Sequence, residues 1–495
     1  MQRVDGLALR RAALHNVAML RRTKIVATLG PATDELDVLI DMCRAGLDVA
    51  RVNFSHGAVE DHLRRIELLR TASARAGRYV AILGDLAGPK IRIESFVDGA
   101  VQLVEGQPFV LDTALDKRAG TIDSVGVAYK ELTADVFAGD TLLLNDGLIV
   151  LEVTEVEGTR IHTRVVAGGE LSNRKGLNRK GGGISAPALT DKDREDIRFA
   201  AAQGLDYVAL SFVRDADDIH LARELLRAAG GVGVRIVAKI ERHEAVAHLD
   251  EIIAATDVIM VARGDLGVEM GHAALTGLQK TMIYKTRHAN RVVITATQMM
   301  ESMIQNPVPT RAEVSDVANA VMDGTDAVML SAETAAGKYP VKAVAAMAEV
   351  IAGAERYQIA AHKPRERFGA MFAETEEAIA NAVMYTANHL EVKAIVALTE
   401  SGATPQWMSR FRSGIPIYAF TRHEKTRRRV TLYRGVYPVS FDLPRDAGEG
   451  LLRAVFNQLL DLQLVSEGDQ IILTKGEFSG VQGGTNSLQI LTVHR

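Results

Sequence analysis

From Thr23 onward, short runs of apolar and β-branched residues alternate with longer stretches whose apolar positions recur at helical spacing. That is the pattern of a parallel sheet covered by helices. Eight runs predict strands: Lys24–Thr28, Asp48–Asn53, Tyr79–Asp85, Asp206–Phe212, Val234–Glu241, Asp257–Ala262, Arg291–Thr297 and Asp326–Ser331. Eight parallel units predict an α/β fold built on a closed (β/α)8 TIM barrel, whose functional face is formed by the C-terminal strand ends. Polar groups gather at those ends, namely Thr28, Asn53 with Ser55, Asp85, Ser211, Lys239 with Glu241, Arg263 with Asp265, Thr297 and Ser331.

One interval breaks the beat. Roughly a hundred residues separate the third run from the fourth, far more than a βα connection needs, and they read as short strands and turns. This predicts a small β-barrel domain inserted after the third strand, closed by the glycine-rich basic stretch Asn173–Gly183, which is either a hinge or a lid over phosphates. Past Pro340 a helical segment and the polar stretch His362–Arg367, a linker, lead into runs Ala394–Leu398, Ile415–Phe420 and Gln470–Thr474 alternating with helices. They predict an open, doubly wound α/β domain. The expected organisation is an extension over 1–21, a barrel over 22–87 and 188–358, the inserted domain over 88–187 and a C-terminal domain over 359–495.

Composition narrows the class without naming a chemistry. With 495 residues, 47% hydrophobic and 24% charged, the chain has the balance of a soluble globular protein of several domains. A formal net charge of -4 gives no global pull towards nucleic acid or an anionic membrane, and no apolar run approaches the ~20 residues of a membrane span. The single cysteine, Cys43, cannot form an intrachain disulfide or a thiolate cluster and suits a reducing cytoplasm. The first residues carry Arg3, Arg10, Arg11, Arg21 and Arg22 against Asp5; a short helix or an upstream start codon accounts for them, an organelle presequence being the other reading.

The chemistry concentrates at two strand ends. Alternate strand residues share a face, so Lys239 and Glu241 point the same way, as would Arg263 and Asp265 if the strand continued. A cation beside two carboxylates suits a divalent metal and an anionic substrate; two salt-bridged strand termini are the plainer reading. The segments Arg51-Val-Asn-Phe-Ser-His-Gly57 and Gly84-Asp-Leu-Ala-Gly-Pro-Lys-Ile-Arg92 add cations, hydroxyls and glycines that admit an anion to the backbone.

These motifs, together with Leu29-Gly-Pro-Ala-Thr33, Met260-Val-Ala-Arg-Gly-Asp-Leu-Gly267, Ala296-Thr-Gln-Met-Met-Glu-Ser-Met303, Pro309-Thr-Arg-Ala-Glu313 and Val328-Met-Leu-Ser-Ala-Glu-Thr334, occur in the order found in pyruvate kinases, which the chain resembles from about Arg22 to its end. The resemblance implies phosphoryl transfer in glycolysis from phosphoenolpyruvate to ADP, giving pyruvate and ATP, in a cytoplasmic, allosterically regulated homotetramer. It assigns Glu241 and Asp265 to a divalent ion, Mg²⁺ or Mn²⁺. Lys239 and Arg51 meet the transferred phosphoryl group, and the Gly264 and Asp265 amides with Thr297 hold the substrate carboxylate. Thr297 also stands by the enolate's proton relay. Arg92, Lys192, His56 and Asn53 face the nucleotide.

Two departures from the family pattern modify this. Where K⁺-requiring members carry Thr-Lys and Glu, this chain has Leu86-Ala87 and Lys90, although the K⁺ ligands Asn53, Ser55 and Asp85 persist. A built-in ammonium at Lys90 predicts activity without K⁺. In the loop that binds phosphorylated activators, Thr399-Glu400-Ser401-Gly402-Ala403-Thr404, Glu400 and Ala403 replace the basic residues of bisphosphate-activated forms, so a sugar monophosphate or AMP is the expected effector. Two other readings stand beside this one. A different metal-dependent pyruvate-enolate enzyme lacks a reason for the inserted domain and for Arg51, Arg92 and Lys192; a non-catalytic metabolite sensor has no need of Lys239, Glu241, Asp265 and Thr297.

Overall fold

In the computed structural model, residues 20–361, 372, 374–442, 449–476 and 484–495 are described. Residues 1–19 of the expected extension and the linker His362–Arg367 lie outside them. The eight predicted strands are all present, trimmed at their ends to Lys24–Thr28, Val49–Asn53, Ala81–Asp85, Tyr207–Leu210, Arg235–Ile240, Val258–Ala262, Val292–Ala296 and Ala327–Leu330. They form one closed barrel in which each strand adjoins its neighbours in sequence, and the first closes on the last with Lys24 opposite Ala327. Most are buried along their whole length, as in Lys24–Thr28, Val258–Ala262 and Val292–Ala296. Strands covered on both faces read as continuous apolar runs, which is why they were legible.

By contact density the chain divides into two compact units, one of residues 1–84, 204–207 and 283–495, the other of 85–203 and 208–282. In the second unit lies the predicted inserted domain. A six-stranded sheet, Leu177–Arg179, Thr141–Leu144, Ile149–Glu157, Arg160–Ala167, Pro108–Asp112 and Ser124–Gly126 in spatial order, is antiparallel except for its last pair. It curls around a core of its own, from Ile91 to Ala186, in which Phe109, Leu111, Leu142, Leu144, Leu151 and Ile161 are fully buried.

The first unit carries the C-terminal α/β domain, whose five-stranded sheet has the order Val436–Ser440, Ile417–Thr421, Ala394–Leu398, Gln470–Gly476, Thr485–Thr492. All pairs are parallel except the last.

A feature absent from the sequence reading orders the N-terminal ends of the barrel strands. An aspartate precedes every second strand, and its carboxylate accepts the backbone N–H at the start of the strand before. The pairs are Asp48 with Ile25 (2.8 Å), Asp206 with Ile82 (2.9 Å), Asp257 with Ile236 (2.9 Å) and Asp326 with Val293 (2.9 Å). Each carboxylate also meets arginine. Asp48 pairs with Arg21 and Arg78, Asp257 with Arg223 and Arg235, Asp206 with Arg428 and Asp326 with Arg410. Arg428 and Arg410 belong to the C-terminal domain, so within the first unit that domain is docked through charges the barrel needs neutralised. A buried charge stripped of its partner is costly.

Candidate active site

The fifth barrel strand, Arg235–Ile240, ends in the predicted lysine, with Glu241 one residue beyond. Pleating places both on one side: Lys239 Nζ lies 2.9 Å from Glu241 Oε1, and also 3.4 Å from Asp85 Oδ1 and 2.6 Å from Ser211 Oγ. Asp85 and Glu241 are 1% and 3% exposed, so these charges interact with little solvent between them. Ser211 is oriented by donating its hydroxyl proton to the Leu86 carbonyl (2.8 Å), which leaves a lone pair for the ammonium. The chain at Leu86–Gly88 passes close beside it. Gly88 has φ +63, and a Cβ there would stand 2.8 Å from that of Ser211, so glycine is required on two counts.

Glu241 is held from a second direction. The N–H of Phe212, a residue in the left-handed region at φ +56, donates to Glu241 Oε2 at 2.8 Å. Such a conformation is unfavourable for an aromatic residue, and here it aims an amide at a carboxylate. Burial pushes the Glu241 carboxyl above its ordinary range, Lys239 opposes that, and the negative charge of Asp265 adds to it.

At Asp265 the structure corrects the pleating argument. The sixth strand stops at Ala262 and a helix, Arg263–Met270, begins at once. Residues two apart on a helix point in opposed directions, so Arg263 and Asp265 are not a facing pair: Arg263 is buried with Nη1 near Gln279 Oε1 (3.4 Å), while Asp265 Oδ1 lies 3.1 Å from Lys90 Nζ. Gly264 and Asp265 occupy the first turn of that helix, where backbone amides point out of the N-terminus. Glu241 and Asp85 stand on Lys239, and Lys90 stands on Asp265. The pairing of Asp265 with a residue 175 positions away has no local signature in the sequence.

Glu241 and Asp265 offer hard carboxylate oxygens, and a cation between them would offset the charge by which Asp265 raises the Glu241 carboxyl. No group of three or more His, Cys, Asp or Glu suited to a metal occurs among the described residues. Two carboxylates would leave a dication held here with water ligands, the habit of Mg²⁺ and Mn²⁺.

The other predicted residues have more local surroundings. Arg92 Nη1 donates to the Arg174 carbonyl (2.9 Å). Lys192, on the helix Asp191–Ala202, lies 2.6 Å from Asp196 and remains half exposed. In the first unit, Arg51 Nη1 donates to Thr28 Oγ1 (3.0 Å), Asn53 Oδ1 accepts the Ser55 amide (3.1 Å) and His56 is exposed. Thr297 follows the seventh strand at φ +66 with its hydroxyl on the Ala296 carbonyl (2.7 Å), and Gln298 is also left-handed at φ +54. The loop 399–404 turns through Gly402, whose N–H donates to Thr399 Oγ1 (2.9 Å); the Ala403 amide reaches Ser401 Oγ (3.4 Å) and Thr404 Oγ1 meets Thr485 Oγ1 (2.6 Å). Its acid, Glu400, is engaged by Arg422 (3.5 Å) and by His423.

Comparison with known proteins identifies the family. A family profile described as "Pyruvate kinase, barrel domain" matches residues 20–344, and a second, "Pyruvate kinase, alpha/beta domain", matches 377–491. Over 478 residues the chain is 54% identical to pyruvate kinase II of Salmonella typhimurium, covering 96% of this chain and 99% of that protein. It is 51% identical to the pyruvate kinase of Haemophilus influenzae over the same shares. The Geobacillus stearothermophilus pyruvate kinase is 44% identical over 95% of this chain and 80% of its own length.

Proposed function

We propose, on the premise that this chain belongs to the pyruvate kinase family and is a phosphotransferase, that it makes ATP and pyruvate from phosphoenolpyruvate and ADP in glycolysis with Mg²⁺ or Mn²⁺ and without K⁺. The observation that carries the reading is the position of Lys239, fixed between Glu241, Asp85 and Ser211. Phosphoryl transfer asks a protein for placement and charge neutralisation more than for covalent chemistry.

Lys239 and Arg51 neutralise the phosphoryl group in flight. The Gly264 and Asp265 amides and Thr297 hold the substrate carboxylate, and the Thr297 hydroxyl stands at the proton relay to the enolate. Arg92, Lys192, His56 and Asn53 take the nucleotide. Glu241 and Asp265 would hold the divalent ion, which would supply positive charge to the transferring group. Lys90 supports K⁺ independence, because its ammonium 3.1 Å from Asp265 provides a fixed monovalent charge, while Asn53, Ser55 and Asp85 remain as the former K⁺ ligands.

The same reading makes the chain a cytoplasmic homotetramer in which residues 88–187 form the lid and 359–495 the regulatory domain. Glu400 supports an effector with one phosphate, a sugar monophosphate or AMP, since its carboxylate already occupies Arg422 and His423 and repels a second phosphate.

The test is pyruvate formation from phosphoenolpyruvate, ADP and Mg²⁺ in tetramethylammonium buffer, repeated in potassium buffer and with each effector at low phosphoenolpyruvate. Turnover in both buffers is expected. Inactivity in both overturns the catalytic assignment, inactivity in tetramethylammonium alone overturns K⁺ independence, and no response to any effector overturns the regulatory one.

A further inference from the structure

The basic, glycine-rich stretch that closes the inserted domain is fastened down. Leu177–Arg179 pairs with Thr141–Leu144 in the curled sheet, and Arg179 makes two bonds to Asp140, at 2.9 and 2.8 Å. Immediately afterwards the chain meets the barrel segment that follows Glu241. The Gly183 N–H donates to Glu244 Oε1, and Arg242 Nη1 donates to the Ile184 carbonyl at 3.2 Å. Gly182, beside the Glu244 carboxylate, has φ +78, a left-handed conformation that favours glycine.

Glu269 joins these pieces. It is carried on the helix Arg263–Met270, one turn after Asp265, and is 8% exposed. One carboxylate oxygen accepts Asn178 Nδ2 from the returning strand (3.3 Å), and the other accepts the His243 N–H, two residues after Glu241 (2.9 Å). Three segments therefore converge on one carboxylate: the exit of the inserted domain, the segment of Glu241 and the helix of Asp265. Pro89, Lys90, Phe212 and Arg242 line the small cavity alongside.

We propose that Glu269 is a positioning residue for phosphoryl transfer, setting the returning strand of the inserted domain against the two segments that carry Glu241 and Asp265. The part it plays in the reaction rests on the function proposed above, whereas the latch itself does not.

Donor and acceptor chemistry yields a polarity-swap test. Asn178→Asp opposes two carboxylates across a buried contact, and burying an unmatched polar group costs about 1–3 kcal/mol, or five- to 150-fold in an opening equilibrium. Adding Glu269→Gln reverses the polarity: the glutamine amide donates to the introduced aspartate while its oxygen still accepts the His243 N–H. Glu269→Gln alone is mild, because the Asn178 amide can turn over to accept.

Hydrogen exchange across residues 174–184 at pH 8, without substrates, reads the latch apart from activity. Exchange should quicken about tenfold or more in Asn178→Asp and return to within about threefold of wild type in the double variant Asn178→Asp with Glu269→Gln. The kcat lost in the single variant should return with it. If Asn178→Asp does not fold, Asn178→Ser replaces it: exchange should rise, and adding Glu269→Gln should change nothing further. A double variant that stays as open as Asn178→Asp, a single variant indistinguishable from wild type, or a further effect of Glu269→Gln on top of Asn178→Ser overturns the proposal. Restored exchange without restored kcat overturns its part in the reaction and leaves the latch.

Discussion

The carboxylates at the start of the barrel strands and those at their end are buried alike, with Asp48 and Asp326 at 6% and 1% exposure and Glu241 and Asp85 at 3% and 1%, but their surroundings differ in kind. At the starts each aspartate has both an arginine and a backbone N–H. Burial pushes Asp48 up, yet Arg21, Lys24 and Arg78 outweigh it and hold the carboxyl below its usual range; Asp257 is held down in the same way by Arg235, the Ile236 N–H and Arg223. Asp206 shows the limit, since burial there exceeds what Arg428 returns and the carboxyl is raised.

At the other end, two ammoniums, Lys239 and Lys90, face three carboxylates, Asp85, Glu241 and Asp265, which sum to one net negative charge when all five are ionised. A divalent ion held there would turn that into one net positive charge, which would favour an anionic substrate. The difference teaches that arginines matched to single carboxylates make those acids structural, while a cluster in which acids outnumber the ammoniums beside them suits a cationic ligand.

Breaking the structural end should give the largest effect. Arg410→Met removes the arginine that pairs directly with buried Asp326 and leaves only the more distant charges of Arg434 and Arg287 beside it, and loss of one partner of such a pair costs about 3–5 kcal/mol. Thermal or denaturant unfolding should show it, with turnover per folded molecule nearly unchanged. At the other end Lys90→Glu should make activity depend on K⁺: a drop of about 100-fold in tetramethylammonium buffer, roughly 2.7 kcal/mol of barrier, largely recovered in potassium buffer. Equal activity of that variant in both buffers would show that Lys90 is not the stand-in.

The smallest effect tests an intermediate case. Burial, with the charge of Glu244, pushes Glu269 up to about 7 from an ordinary 4.5, against the opposing bonds from His243 and Asn178. The folded chain thus holds that proton more tightly than the unfolded one. The resulting stabilisation is complete below about pH 4.5 and is lost as pH rises through about 7. Between pH 5.5 and 8 the melting temperature of Glu269→Gln should therefore gain on wild type by roughly 2 °C. Parallel melting curves across that range would remove Glu269 from the titrating groups.

Much of this was legible because barrel strands are apolar on both faces. The four ordering aspartates were in plain view too, at the head of the runs beginning Asp48, Asp206, Asp257 and Asp326, but a strand-initial acid has no meaning until its arginine is known, and Arg428 and Arg410 arrive from another domain. Two strands of the C-terminal sheet escaped notice because they lie at its edges: Val436–Ser440 contains Pro438, which suits an edge position, and Thr485–Thr492 is half exposed. At the site, pleating correctly joined Lys239 to Glu241. It failed at Arg263, where the backbone turns from strand to helix within one residue. Lys90 was identifiable as a departure from the family pattern, but its contact with Asp265 is a product of tertiary folding.

The most direct test of the distinction between the two ends is the rate of pyruvate formation by Lys239→Met at saturating phosphoenolpyruvate, ADP and Mg²⁺, in a sample whose melting temperature is within a few degrees of wild type. If Lys239 is the preorganised charge for the transferred group, as proposed, its removal should lower kcat by about 10³-fold. A rate within about threefold of wild type would contradict the placement of catalysis at this cluster.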